Sequence, residues 1–412
     1  MATSVHNKET TMAIGNNEEW GRADAACAGE GLQAVLLSSL ADVTYISGFE
    51  APVPVGAGAE LAHGIPLALC TVGDAHGWLV IPNGLAGQAQ RQSRLDETLA
   101  FDTFDSFQPT DSAASFVDCT RRALIAAGMA RARATLGVQA RSLPLAIVQL
   151  LHNEFPDLTL VEAAPALQAA RRIKTAREIQ LLRRASHVAD VGHNTLAELA
   201  QQAGASEFAM WAEITAHMFQ AVGHEVPVTG ELVTGERTRT VEYPNGPRQR
   251  ITQLGDAALM DISQRVDGYW SDCTNTHVIG GVAATPEQRR YAKASQAACE
   301  AAMQALRPGA RACDAFAAAE QAFQAFGLQS AHYAGHQIGV VVNELPRLVP
   351  YDLTVIEAGM VFSVRVTLAP ARRRWCWSRR LARRSSRSSR GALAEELATV
   401  CRGDFGRSAF RS

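Results

Sequence analysis

Two aspartates, Asp261 and Asp272, flank an Asp-Gly pair in the run MDISQRVDGYWSDCTNT, residues 260–276. Carboxylates are hard oxygen donors suited to divalent cations. Asp267-Gly268 is the strongest short hairpin signal in the chain, because a type I′ turn needs positive φ at both central residues. With these two as the turn, paired positions sum to 267 + 268 = 535, so 263 faces 272 and 261 faces 274. Asp261 and Asp272 then lie on one sheet face as diagonal neighbours, about 7–8 Å apart at Cβ. That is close enough to reach one pair of divalent ions about 3.5–4 Å apart. Two such carboxylates repel and ask for a cation or a shared proton. Two exposed aspartates on a solvated hairpin fit the same spacing.

A second candidate is His336, between glycines in HYAGHQIGVVVNELPRLVP, residues 332–350. A lone histidine is commonly structural, but beside the aspartates it completes the mixed oxygen and nitrogen chemistry of a Mn, Co, Fe or Zn site. Arg237 and Arg239 in TGERTRTVEYPNG, together with Arg347, are candidates for a clamp on a substrate carboxylate, since guanidinium groups pair with carboxylates bidentately. Solvated loop arginines are the plain alternative.

Taken in order, ALMDISQRVDGYWSDCTNTHVIG, AGHQIGVVVNELP and IEAGMVFSV resemble the pita-bread hydrolases, an M24-like group containing Xaa-Pro aminopeptidases, prolidases, methionine aminopeptidases and creatinase. RRIKTAREIQLLRRA resembles the helix opening their catalytic domain. GLQAVLLSSLADVTYISGF resembles the start of the amino-terminal domain in the aminopeptidase and creatinase branch. The likeness runs from about Trp20 to Val364. It implies two divalent ions held by five side chains, with Asp261, Asp272 and His336 as three of them, and it implies a homodimer.

The sequence departs from that pattern at four places. The first glutamate ligand, expected straight after GMVFSV, is Arg365, and no strand follows that offers the second. Asn343 and Glu242 stand where relatives carry histidines. Asn343 can donate a hydrogen bond to a carbonyl but cannot shuttle a proton near neutral pH. Glu344, in NELP, is left as the one candidate general base. The expectation is an Xaa-Pro aminopeptidase-like, metal-dependent amide hydrolase acting on a small peptide or small amide, impaired in this chain and with doubtful metal occupancy. The alternatives are a creatinase-like hydrolase of a non-peptide C–N substrate and a binding protein that has kept the fold without the metals.

The elements that must position these residues fall into two domains. At 412 residues and 47% hydrophobic content the chain can bury two cores. Residues 1–18 read as a disordered leader and 19–165 as an α/β creatinase-like amino-terminal domain, with apolar runs such as LALCTV alternating with helical stretches. Residues 166–364 read as an α+β pita-bread catalytic domain, opened by a long helical segment in which Thr175 and Glu178 have capping-box spacing and Ile179, Leu182, Ser186 and Ala189 mark one face. Thr285-Pro286 with Gln288 opens another helix.

Residues 365–412 form an Arg-rich tail with 13 Arg against 3 acids, so the net charge of -2 hides +10 there and -12 before it. With 36 Arg to 3 Lys overall, this tail reads as frame-shifted or non-native, and the catalytic sheet should stop at Val364. It contains no recognisable nucleic-acid module, so nucleic acid is not an expected partner. Eight scattered cysteines without a CxxC pair suit a reducing cytoplasm. No apolar run is long enough for a membrane span, and no membrane partner is expected.

Overall fold

A computed structural model of the chain describes residues 17–74, 76–131, 133–239, 245–369 and 375–376. Two compact units, Met1–Arg171 and Arg172–Ser412, divide it.

The first unit is built on a six-stranded mixed sheet of order β4-β3-β2-β1-β5-β6, with β1 Ala34–Leu37, β2 Leu67–Thr71, β3 Gly77–Pro82, β4 Glu97–Phe101, β5 Thr135–Val138 and β6 Thr159–Glu162. The central strands AVLL and LALCT are buried along their whole length, as expected when both faces of a sheet are covered. The edge strand β6 is exposed at every residue. Asn17 and Glu18 belong to this unit and not to a disordered leader. Asn17 caps the helix Glu18–Gly29, its side chain accepting from Trp20 N–H. The helical segment beginning near 166 is two helices. Ala164–Arg171 falls in the first unit, with Tyr45 Oη donating to the Ala170 carbonyl, and Ala176–Leu199 opens the second.

The capping box at Thr175 and Glu178 is formed in both directions. The buried stripe of Ala176–Leu199 runs through Glu178, Leu182, Ala185, Ala189, Gly192 and Leu196. Ser186 and Ile179 are only half-buried, so the stripe is rotated from the expected one. Gly192 lies on it because a Cβ there would come 2.9 Å from Met218 Sδ in the facing helix Glu207–Val222. These two helices share a core with an antiparallel sheet of β7 Val228–Thr234, β8 Ala257–Val266 and β9 Tyr269–Val278.

Asp267 and Gly268 have φ of 51° and 83°, the paired positive values of a type I′ turn. The ladder then runs without a bulge from Val266↔Tyr269 to Ala257↔Val278. Ser263 faces Asp272 and Asp261 faces Thr274, which is the register derived from the turn.

A second core joins the helices Pro286–Ala305 and Ala312–Gln324 to shorter strands. These are β10 Gln329–Ser330, β11 Gly335–Gln337, β12 Glu344–Arg347, β13 Phe362–Val364, β14 Thr367–Ala369 and β15 Trp375–Cys376, in two sheets of order β12-β11-β13 and β10-β14-β15. The described chain does not stop at Val364. Val366 is buried in this core, and Thr367–Ala369 pairs with both Gln329–Ser330 and Trp375–Cys376. Residues 1–16, 75, 132, 240–244, 370–374 and 377–412 lie outside the described residues, and with them Glu242 and most of the Arg-rich tail.

Candidate functional site

Hairpin parity puts Asp261 and Asp272 on the same face, and two hydroxyls across the ladder orient them. Thr274 Oγ1 donates to Asp261 Oδ1 at 2.6 Å, and Ser263 Oγ donates to Asp272 Oδ1 at 3.2 Å. The sheet containing β11 brings His336 to the same place. His336 is paired with Ser363 on β13, whose Oγ donates to the Asp272 carbonyl at 3.0 Å. His336 Nε2 lies 3.0 Å from Asp272 Oδ2, and Nδ1 lies 2.9 Å from the Gln337 carbonyl. The Gln337 carbonyl and an ionised Asp272 carboxylate both accept, so each ring nitrogen faces an acceptor, and an N–H on Nδ1 would leave the Nε2 lone pair to a metal. A spacing of about 3 Å also suits two adjacent ligands on one ion with bonds of about 2.0–2.2 Å.

The other side of the pocket is different. Arg365 leaves β13 with its N–H on the Ala334 carbonyl at 3.0 Å, and its Nη1 donates to Asp261 Oδ2. Nη2 lies 3.4 Å from Tyr333 Oη, and the guanidinium stands 5.8 Å from the Tyr333 ring centroid. Tyr333 Oη in turn accepts from Asn343 Nδ2 at 3.3 Å, and Asn343 Oδ1 accepts from Arg347 Nε at 2.8 Å. Asp261, Arg365, Tyr333, Asn343 and Arg347 thus form one chain of contacts.

Glu231 on β7 is a carboxylate that sequence reasoning passed over. It pairs directly with Asp261 across the β7–β8 ladder. Burial holds Glu231 above the usual carboxylate range, with Asp261 adding to the rise and Arg365 and the Asn245 side chain opposing it. Burial likewise raises Asp261, Arg365 opposes that, and Asp272 adds to it. No local pattern in GELVTGE marks Glu231. Only the register of a third strand does.

Three sequence candidates take other partners. Glu344, the expected general base, is tied to Lys174 Nζ at 2.5 Å with the two side chains 5% and 0% exposed, and its other oxygen faces Val341 N–H at 3.4 Å. This is a buried structural pair, not a base presented to substrate. Arg237 is no free clamp, since it pairs with Glu207 and donates to the Gly246 carbonyl. Glu207 also takes the N–H groups of Thr234 and Arg248. Arg239 is exposed on the turn Gly235–Arg239 and Arg347 on β12, where the Arg347 N–H also donates to Asp352. Glu242 is outside the described residues.

The donor set can be tested against two divalent ions. Asp272 and His336 are in contact and Asp261 shares the hairpin face, but the position where the resemblance implies a glutamate ligand holds a guanidinium in contact with Asp261, and the described residues present no group of three His, Cys, Asp or Glu arranged to hold an ion. The residues as they stand do not fit a two-ion centre.

The family model for metallopeptidase family M24 matches residues 180–395, and that for the creatinase/prolidase N-terminal domain matches residues 20–173. The Xaa-Pro dipeptidase of Pyrococcus furiosus is 26% identical over 196 residues, 47% of this chain and 55% of that protein. The Xaa-Pro dipeptidase of Lactobacillus delbrueckii subsp. lactis is 26% identical over 230 residues, 55% of this chain and 61% of that protein. The chain therefore spans less than two thirds of the length of these curated relatives. The crystal structure of the prolidase from Pyrococcus horikoshii superposes with a TM-score of 0.69 at 20% identity, covering 91% of this chain and 99% of that one, a likeness of fold.

Proposed function

Because the chain belongs to metallopeptidase family M24, we propose that it is an amide hydrolase of the Xaa-Pro aminopeptidase and prolidase type, built for small peptides with proline second and impaired in turnover as it stands. The observation that carries this reading is the contact of His336 Nε2 with Asp272 Oδ2 at 3.0 Å, between a sheet and a hairpin far apart in sequence, on the hairpin face that Asp261 shares. When bound, the family's divalent ions (Mn, Co, Fe or Zn) would polarise the scissile carbonyl and activate water. The donor set here does not fit them. The chain's own contribution is to bind and orient. Arg347 and Asn343 offer hydrogen-bond donors beside the pocket for a substrate carboxylate or carbonyl. Arg239 belongs to the same proposal as a further carboxylate contact.

One observation favours a second reading. The pairing of Arg365 with Asp261 suits a protein that binds a small amide or peptide without cleaving it. A creatinase-like reaction on a small C–N substrate rests on Asn343 and Glu242 standing where relatives have histidines. Turnover of Xaa-Pro dipeptides, small amidines and cyclic amides by the purified full chain separates these readings. Slow, selective cleavage of the dipeptides is expected, and cleavage confined to the amidines or cyclic amides would overturn the peptidase assignment.

The Arg-rich segment after Val364 belongs to the proposal as a replaced or frame-shifted end. Homodimer formation and a cytoplasmic setting are likewise part of it, supported by the family resemblance and by the free thiols of Cys27, Cys70, Cys119, Cys273, Cys299 and Cys313. No helix among the described residues is long and apolar enough to cross a membrane.

A further inference from the structure

We infer that the guanidinium of Arg365 is a resident counter-ion for the aspartate pocket, held on Asp261 where the family places a divalent metal, and that it closes this chain to metal. The inference rests on the family reading of Asp261, Asp272 and His336 as ligand positions.

The first argument is charge. Asp261 and Asp272 are diagonal neighbours on the hairpin, and Glu231 lies opposite Asp261 on the adjoining strand, so three carboxylates crowd one face of the β7–β8–β9 sheet near the middle of its strands. Like charges at such separations need a nearby cation or a shared proton. Arg365 supplies a cation tethered to the chain. The second argument is geometry. The guanidinium is not a solvated arginine passing over the pocket. Its backbone is fixed on Ala334, next to the strand bearing His336, and its head group is shared between Asp261 Oδ2 and Tyr333 Oη, with the Tyr333 ring beside it. Asp261 and Arg365 side chains are each 18% exposed, so solvent screens the pair only in part.

The third argument is competition. Thr274 donates to Asp261 Oδ1 and Arg365 to Oδ2, so both oxygens of this carboxylate already have a donor. A divalent ion must displace the guanidinium or sit beside it against its charge. This arrangement differs from mere loss of a ligand. Loss would leave a weak site, whereas a tethered cation leaves a satisfied one.

The test measures metal and not activity, so failure of peptide turnover does not bear on it, and metal uptake by the unmodified chain would sink it while leaving the peptidase reading standing. The full chain, stripped with chelator, is titrated with Mn2+ by calorimetry and its thermal unfolding followed with and without the ion. The unmodified protein is expected to take up less than one ion per chain at about 1 mM Mn2+ and to melt at the same temperature with or without it. Arg365→Ala is expected to bind one ion at least about tenfold more tightly, to melt lower in chelator, and to be restored by Mn2+. Arg365→Lys, which keeps the positive charge, should stay metal-poor. If Arg365→Ala does not fold, Arg365→Gln removes the charge while keeping hydrogen bonds to Asp261 and Tyr333, and should show the same gain. About two ions per unmodified chain, or a folded alanine or glutamine variant with unchanged Mn2+ affinity, overturns the inference.

Discussion

The hairpin β8–β9 and the sheet β12–β11–β13 both deliver residues to the candidate pocket, but different forces hold them. The hairpin is a ladder of ten pairs closed by a type I′ turn, and strand parity alone sends Asp261 and Asp272 to one face. The sheet has strands of three or four residues and a register shift between His336 and Gln337. Short strands contribute few ladder bonds, so tertiary polar contacts supplement them: Lys174 with Glu344, Ser363 with the Asp272 carbonyl, and Arg365 with Asp261. Local geometry suffices to place a ligand on a long hairpin. On a short sheet the placement is a property of the whole unit, and one substituted residue, Arg365, changes what the pocket can hold.

The largest expected effect tests the dependence of the short sheet on its buried pair. Lys174→Met leaves the Glu344 carboxylate buried beside an apolar chain, and removing one partner of such a pair costs about 3–5 kcal/mol. Chemical denaturation of the variant checks this. A loss below about 1 kcal/mol would mean that the sheet does not depend on the pair and that the contrast with the hairpin is wrong.

The next effect belongs to the hairpin. Burial pushes the His277 imidazole on β9 down to about 4. The unfolded chain takes up this proton near pH 6.5 and the folded chain only near pH 4. The stability is therefore present above pH 6.5 and lost as pH falls towards 4, by an order-of-magnitude amount of about 3 kcal/mol. His277→Gln should flatten the stability profile between about pH 7 and pH 4 relative to the parent, and parallel profiles would contradict this.

The smallest effect probes the turn. Gly268 sits at a φ of 83°, so Gly268→Ala should cost about 1–2 kcal/mol through backbone strain. Because parity is set by the turn, the same variant should also weaken any ligand response of the pocket. Unchanged unfolding would show that the strands, and not the turn, fix the register.

Much of the fold was legible because its signals are local. Thr175 with Glu178 and Thr285 with Gln288 form their capping boxes as their spacing predicts. Asp267-Gly268 makes the turn that its residue types demand. The misreadings share a cause, since each depended on what lies across from a residue. The buried stripe of Ala176–Leu199 includes Ala185 and not Ser186 because Met218 and its neighbours face that side. Glu344 reads as a general base until Lys174, 170 positions earlier, is found on it. Arg237 reads as a clamp until Glu207 is found accepting from it.

What the sequence by itself determined is therefore the set of donors on the hairpin and their common face, because a turn of known type and a side-chain period of two leave a single register. What only the tertiary structure decided is the state of that site. Glu231 enters it through a third strand's pairing, His336 through a carbonyl and a carboxylate that orient its ring, and Arg365 through a guanidinium that reaches Asp261 across 104 positions of chain. Charges of opposite sign find each other through space, and sequence distance places no bound on which pair forms.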